Sequence, residues 1–233
     1  MPDSRREPIF LPVRSAYDRW SRFYDTFDNP MVFMASQALG AGLARECAGK
    51  SVFEFGCGTG RNLAALQAAG AARLAGCDFS EGMTAVARGR GLENALIFHH
   101  DISQPLPPEA PSAFDAVLFS LTLEHIEAPA APLAEARKIL GSGGRAHVLE
   151  IHPYFSFGGG AAHFEDGGEL VTMPAYPHQF ADYLNAFSAA RLRTARCTEW
   201  RPRDLGEVPA PLKALKRGPD FPMLVEFVLE AMP

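Results

Sequence analysis

Cysteine is scarce in this 233-residue chain and shows no pairing pattern. Cys47, Cys57, Cys77 and Cys197 include no C-x-x-C, which leaves free thiols in a reducing cytoplasm as the plain reading. Long apolar runs are missing, and none approaches the roughly 20 residues needed to span a membrane. The first residues carry Arg5, Arg6 and Glu7 without a long apolar stretch, so no signal peptide is expected. Basic charge is not in excess. The 22 Lys and Arg face 27 Asp and Glu, for a net charge of -5 and a pI of about 5.8, which argues against a chain built to hold nucleic acid. The one basic stretch, Arg191 to Arg203, is interleaved with Glu199 and followed by Asp204, as a solvated face would be. No carboxylate cluster has the spacing of a divalent-metal site, and no internal repeat or low-complexity tract stands out.

What is present fits one α/β domain. Hydrophobic residues make up 47% and charged residues 21%, as in an ordinary globular protein with a well-buried core. The most informative stretch is Val52 to Asn62. There an apolar run, Ser51 to Phe55, meets glycines at 56, 58 and 60, and a helical pattern starts near Arg61. Glycines let the backbone turn sharply and approach a ligand closely. The helix start beyond them offers unpaired N–H groups and the positive end of a dipole. A dinucleotide fingerprint requires G-x-G-x-x-G. Here the third glycine falls one residue early, and Arg61 stands where it should be. Glu54 puts a carboxylate two residues before the first glycine, where a pyrophosphate would need the opposite. A ligand with a cationic, amino-acid-like group suits this turn better, and a nicotinamide-dependent oxidoreductase is disfavoured.

Strand-like and helix-like segments alternate after residue 50, which predicts βαβ units and a mostly parallel sheet. Strands are expected near 51–55, 73–77, 95–99, 115–119, 144–150, 192–199 and 222–230. Helices are expected near 61–69, 80–90, 130–140 and 178–189, with Gly70 and Gly141 as stops. Ahead of the sheet, Tyr17, Trp20, Phe23, Tyr24 and Phe27 recur at three- to four-residue spacing, as on one helix face. A second helix is expected from Pro30 to Ala48. These form a helical cap over residues 1–48, ahead of a core over 49–233. The cap either packs on the sheet or roofs a ligand.

The pattern Glu54-x-Gly56-x-Gly58-x-Gly60 resembles the first motif of the class I S-adenosylmethionine-dependent methyltransferases. Phe114 to Ser120 running into Leu121-Thr122-Leu123-Glu124-His125-Ile126 looks like the fourth motif of that family, and Ala134 to Arg145 looks like its helix and turn before the fifth core strand. The resemblance covers about residues 15 to 200. It implies a Rossmann-like three-layer sandwich with a seven-stranded, mostly parallel sheet whose last strand is antiparallel. It also implies S-adenosyl-L-methionine as cofactor, held at Glu54, Gly56, Cys57, Gly58 and Gly60. Asp78, at the end of the second strand, would accept the ribose hydroxyls, with Phe79 and Met83 against the adenine; core packing serves Met83 equally well. Asp101 would face the adenine amino group and Ile102 would donate its backbone N–H, although a turn cap is the other reading of Asp101. Ser120 would lie near the methyl group. The pair Tyr17-Asp18 and Tyr24-Asp25 is similar to the N-terminal element of small-molecule members, whose tyrosines line the pocket.

The expected activity is in-line methyl transfer to a small-molecule acceptor, as in secondary metabolism. Oxygen is the preferred acceptor; an N- or carboxyl-methyltransferase and a non-catalytic adenosylmethionine-binding module remain as alternatives. A protein or tRNA acceptor is a further alternative; the acidic balance disfavours tRNA, and a small peptide or carrier-bound acid stays open. His152, after the fifth core strand, and His125, after the fourth, are the candidate bases. His163 and His178 are weaker candidates, and a structural role is preferred for His178. Residues 151–177 are too long for a simple link and are expected to form a substrate lid. No metal, nucleic-acid or membrane partner is expected, and the chain is expected to be a monomer or homodimer.

Overall fold

The computed structural model describes residues 7–26, 29–157, 162–205 and 218–232. The chain opens with β1 (Ile9–Phe10), α1 (Val13–Trp20), α2 (Pro30–Ala41) and α3 (Leu43–Glu46). The core then runs β2 (Ser51–Phe55), α4 (Arg61–Ala68), β3 (Arg73–Asp78), α5 (Glu81–Gly89), β4 (Ala95–His99), β5 (Phe114–Ser120), α6 (Ala130–Ile139) and β6 (Leu140–Ile151). It continues through α7 (Pro153–Ser156), β7 (His163–Asp166), β8 (Glu169–Thr172), α8 (Phe180–Ala189), β9 (Leu192–Trp200) and β10 (Leu224–Ala231).

Seven strands form one sheet in the order β4-β3-β2-β5-β6-β10-β9. Only β10 runs antiparallel to its neighbours β6 and β9; β2 pairs parallel with both β3 and β5. The strand order therefore reverses between β2 and β5. A crevice opens at such a switch point, outside the carboxyl ends of the strands, and the glycine turn follows β2 there.

The side-chain period of two divides the strands between two layers. Phe53 and Phe55 face one side, packing with Phe119, Leu133 and Ala136 of α6 and Phe187 of α8. Val52 and Leu74 face the other, with Leu63 and Leu66 of α4 and Leu39 of α2. Phe55 stacks on Phe119 with centroids 4.8 Å apart. Each such buried side chain contributes about 1.5–3 kcal/mol relative to exposure, so the strands on either side of the switch point form a rigid floor.

The N-terminal segment departs from expectation. The aromatic helix stops at Trp20, and Tyr24 lies in a separate 3₁₀ turn, Tyr24–Thr26; Phe27 lies outside the described residues. The helix expected over 30–48 breaks at Gly42 (φ -105°, ψ -108°), where a Cβ would meet Glu226 Oε1 at 3.2 Å.

The described part of the 151–177 insert is more ordered than a free loop. Strands β7 and β8 form a hairpin closed by Gly167-Gly168, both at positive φ, which suits a two-residue turn. Strand β1 pairs parallel with β8, making a second, three-stranded sheet. Trp20 stacks on Phe164 at 4.8 Å, and Arg19 bonds Asp166 and Glu169 at 2.6 and 2.8 Å. The insert and α1 thus form one roof. Gly158, Gly159 and Gly160 lie outside the described residues.

Candidate active site

The turn after β2 holds Gly56, Gly58 and Gly60 at φ +68°, +53° and +78°, conformations that favour glycine. A Cβ on Gly56 would strike the Thr122 side chain, 2.7 Å from Oγ1, so the turn and the loop after β5 lie in close contact. A Cβ on Gly58 would meet open space. Gly60 does a different job: a Cβ there would meet Ala87 Cβ of α5 at 3.2 Å, and the residue lines neither cavity described below. Its close contact is with α5. Asp78 Oδ2 accepts the Gly58 amide at 2.9 Å, and Oδ1 accepts the Ser80 amide at 2.9 Å. One carboxylate thereby ties the end of β3 to the glycine turn.

Two cavities meet at this turn. The larger takes in about 620 Å³ of space, part of it open to solvent. Asp78, Phe79, Met83, Asp101 and Ile102 form one flank, and Tyr17, Thr122, His125 and Ile126 form the other. The smaller takes in about 410 Å³, also partly open to solvent, and brings Glu54, Cys57, Arg61 and Asn62 together under Val32 and Ala35 of α2. Tyr24, Gly56, Gly58, Ser120 and Leu121 belong to both, so the cavities join beside the methyl-facing end of β5 that the resemblance implies. Leu121 is a non-glycine residue at φ +54°, a conformation held by its surroundings.

The small cavity brings a buried carboxyl and a guanidinium together. Glu54 Oε1 accepts from Asn62 Nδ2 at 2.7 Å, while Oε2 is buried and has no hydrogen-bond partner. Burial pushes this carboxyl up to about 8, with the Asn62 bond pulling it back and the Asp78 charge adding to the rise. An unpartnered buried carboxylate is costly, and a cationic ligand would relieve that cost. Arg61 supplies the opposite charge a few residues away; its Nε lies 3.7 Å from Asp25 Oδ1.

Below the loop after β5 is a second buried acid. Glu150 Oε1 accepts the Thr122 and Leu123 amides at 3.0 and 2.9 Å, and burial raises this carboxyl to about 8. Glu124, next along the loop, is raised to about 7 by burial. His125 Nδ1 lies 2.9 Å from the Pro174 carbonyl and Nε2 lies 2.9 Å from the Tyr17 hydroxyl. Burial lowers its pKa and raises that of Tyr17, so both are neutral near pH 7.

Two aspartates pin the roof to the floor. Asp18 Oδ1 accepts from Ser80 Oγ at 2.6 Å and from the Gly82 amide at 3.0 Å. Asp25 Oδ1 accepts from Thr59 Oγ1 at 2.8 Å, and Oδ2 pairs with Arg90.

His152 belongs elsewhere. It caps α7, its Nδ1 accepting the Tyr154 amide at 3.2 Å, and Nε2 meets Glu199 at 3.2 Å. It lines neither cavity, because β6 turns directly into α7 and carries the ring toward β9. His178 bridges the Leu123 and Ile126 carbonyls at 3.1 and 2.8 Å, a structural brace. His163 pairs within β7 opposite Thr172. Asp101 combines both of its readings: Oδ1 holds the Ser103 amide at 3.0 Å, and the residue still lines the large cavity. Met83 likewise is buried in the core beside Trp20 and reaches the same cavity. Arg61, Asn62, Leu121 and Thr122 are not among the site residues expected from the sequence. Arg61 was visible only as the residue in place of a glycine, and Leu121 carries no sequence mark of its positive φ.

A glycine turn at the switch point of a mostly parallel sheet, with acids at two strand ends, defines a Rossmann-like fold with a candidate ligand site at that turn. Residues 53–148 match the family described as Methyltransferase domain. The chain is 34% identical over 144 residues to a demethylmenaquinone methyltransferase from Clavibacter sepedonicus, covering 61% of this chain and 56% of that protein. It is 33% identical over 152 residues to a ubiquinone biosynthesis O-methyltransferase from Xylella fastidiosa, covering 63% and 60%. The matches thus span less than two thirds of either relative. Among solved structures, an S-adenosylmethionine dependent methyltransferase from Mesorhizobium loti superposes with a TM-score of 0.66 at 22% identity, over 82% of this chain and 95% of that one.

Proposed function

We propose that this protein transfers a methyl group from S-adenosylmethionine to an oxygen of a small-molecule acceptor. The observation that carries this reading is the small cavity. It joins an orphaned carboxylate, Glu54, and a guanidinium, Arg61, to a nucleoside-sized cavity bearing Asp78. A zwitterionic amino-acid end and an adenosine end, linked at Gly56 and Ser120, fit that pair of spaces. Glu54 would hold the α-ammonium, Arg61 the carboxylate and Asp78 the ribose hydroxyls. Phe79, Met83 and Ile102 would enclose the adenine, with Asp101 at its polar edge.

Bound there, S-adenosylmethionine supplies an electrophilic methyl on a sulfonium. The chain has to align the acceptor oxygen about 3 Å from the methyl carbon and exclude water. Tyr17, Tyr24, Leu121, Thr122 and His125 wall that region, and the roof of α1 with the β7–β8 hairpin closes it. The named activity of the Xylella relative supports oxygen as the acceptor. Binding of S-adenosylmethionine by calorimetry, followed by radiolabelled methyl transfer to a panel of hydroxyl, amine and carboxylate acceptors, tests the reading. Transfer to hydroxyls alone is the expected outcome, and no binding of the donor would overturn it.

A further inference from the structure

Resting on the methyl-transfer reading, we propose that Tyr17, His125 and Glu124 form a proton relay that deprotonates a hydroxyl acceptor, with His125 as the terminal base. The hydrogen-bond geometry sets the direction of the relay. The Pro174 carbonyl can only accept, so His125 Nδ1, 2.9 Å away, carries the hydrogen. Nε2 is then bare and accepts the Tyr17 O–H across 2.9 Å. The phenol oxygen keeps a free lone pair, and Tyr17 lines the large cavity beside the shared wall of Ser120 and Leu121. An acceptor hydroxyl in that cavity meets an oxygen already polarised by the histidine.

Glu124 completes the arrangement. Its Oε1 lies 3.8 Å from His125 Nε2, too far for a hydrogen bond to the neutral ring but close enough to stabilise a protonated one. In the step itself, the acceptor proton passes to the Tyr17 oxygen while the Tyr17 proton passes to Nε2. The acceptor oxygen forms its bond to the methyl carbon, and the electron pair of the broken C–S bond stays on sulfur as a neutral thioether. His125 ends as an imidazolium and later gives its proton to water. The groups facing it are Tyr17 from α1, the Pro174 carbonyl from the insert, Glu124 from its own loop and the Asp78 charge from the end of β3. Burial raises the Tyr17 pKa and lowers that of His125, so the phenol passes a proton without holding a negative charge.

The test uses the full chain with ¹⁵N-labelled histidine and bound S-adenosylhomocysteine. The relay requires a single His125 tautomer, Nδ1 protonated and Nε2 bare, at neutral pH. The Nε2 signal should move in Tyr17→Phe, and the titration point of the ring should fall in Glu124→Gln. Turnover adds a second readout, with catechol and thiophenol as probes, because a thiolate needs no base. Tyr17→Phe should slow catechol methylation by about 100-fold, the low end for general-base catalysis, and slow thiophenol methylation by a clearly smaller factor. A protonated Nε2, a tautomer mixture, or a titration unmoved in Glu124→Gln overturns the relay, whether or not either probe turns over. Failure of S-adenosylhomocysteine to bind by calorimetry overturns the methyl-transfer reading instead.

Discussion

Asn62 donates to Glu54 Oε1 across 2.7 Å and leaves the other oxygen of that buried carboxylate without a partner. On the proposed reading, that oxygen takes the ammonium of the donor, and Arg61, which also lies 3.7 Å from Asp25 in the same region, takes its carboxylate. Glu54→Gln and Arg61→Ala should each weaken S-adenosylmethionine binding by about 10- to 100-fold, as the loss of a charge-assisted hydrogen bond does. Neither should change the affinity for 5′-methylthioadenosine, which lacks the amino-acid end. Equal losses for both ligands, measured by calorimetry, would refute this assignment of the small cavity.

Three buried carboxyls make stability depend on pH in an unusual direction. Glu54 and Glu150 are raised from 4.5 to about 8, and Glu124 from 4.5 to about 7. The folded chain therefore binds more protons than the unfolded one between those limits, and the contribution of these groups to stability falls as pH rises through that window. Glu150→Gln keeps an acceptor for the Thr122 and Leu123 amides and removes one titration. Its thermal midpoint should fall less than the wild type's between about pH 5 and 8. A chain of this size shows each lost kcal/mol as about 2–4 °C, and parallel curves for the two proteins would contradict the assignment.

The contact between Gly56 and Thr122 predicts a paired effect. Gly56→Ala forces a Cβ onto the Thr122 side chain at a positive φ, and overpacking of this kind costs about 1–3 kcal/mol. Adding Thr122→Ala should recover part of that loss by clearing the clash, though not the backbone strain. Chemical denaturation of the two single variants and the double variant measures the non-additivity. Simple additivity would mean the two residues do not press on each other.

Asp18 and Asp25 fasten the roof at two separate points. Asp18→Ala leaves Ser80 Oγ and the Gly82 amide without their acceptor, at a cost of about 1–3 kcal/mol. Hydrogen exchange should quicken in residues 13–26 while the central strands β2 and β5 keep their protection. Uniform loss of protection across the chain would show that the roof does not open on its own.

Much of this was legible in the sequence. The run Ser51 to Phe55, three alternate glycines and a helix at Arg61 could be placed because each rests on a local rule. Asp78 and Glu54 followed, since a strand end fixes its last residue in space. The β1–β8 pairing was hidden because two residues near the N-terminus pair with partners some 160 positions away; no local pattern encodes that. The hairpin at Gly167-Gly168 did carry a turn signal, yet the insert around it reads as a loop because its strands are only four residues long. Tyr24 keeps the helical spacing of Tyr17 and Trp20 although the helix has ended, so aromatic periodicity overextends α1. His152 follows a core strand like His125 does, and only the immediate turn into α7 separates their fates.

On the proposed reading, Glu54 ionises to hold a cationic amino-acid end. Calorimetric titration of the wild-type chain with S-adenosylmethionine at pH 7, in two buffers of different ionisation enthalpy, measures it directly. A carboxyl at about 8 that binds as its anion should release close to one proton per ligand, and Glu54→Gln should abolish that release. Absence of binding, or binding with the same proton count in both proteins, would contradict the account.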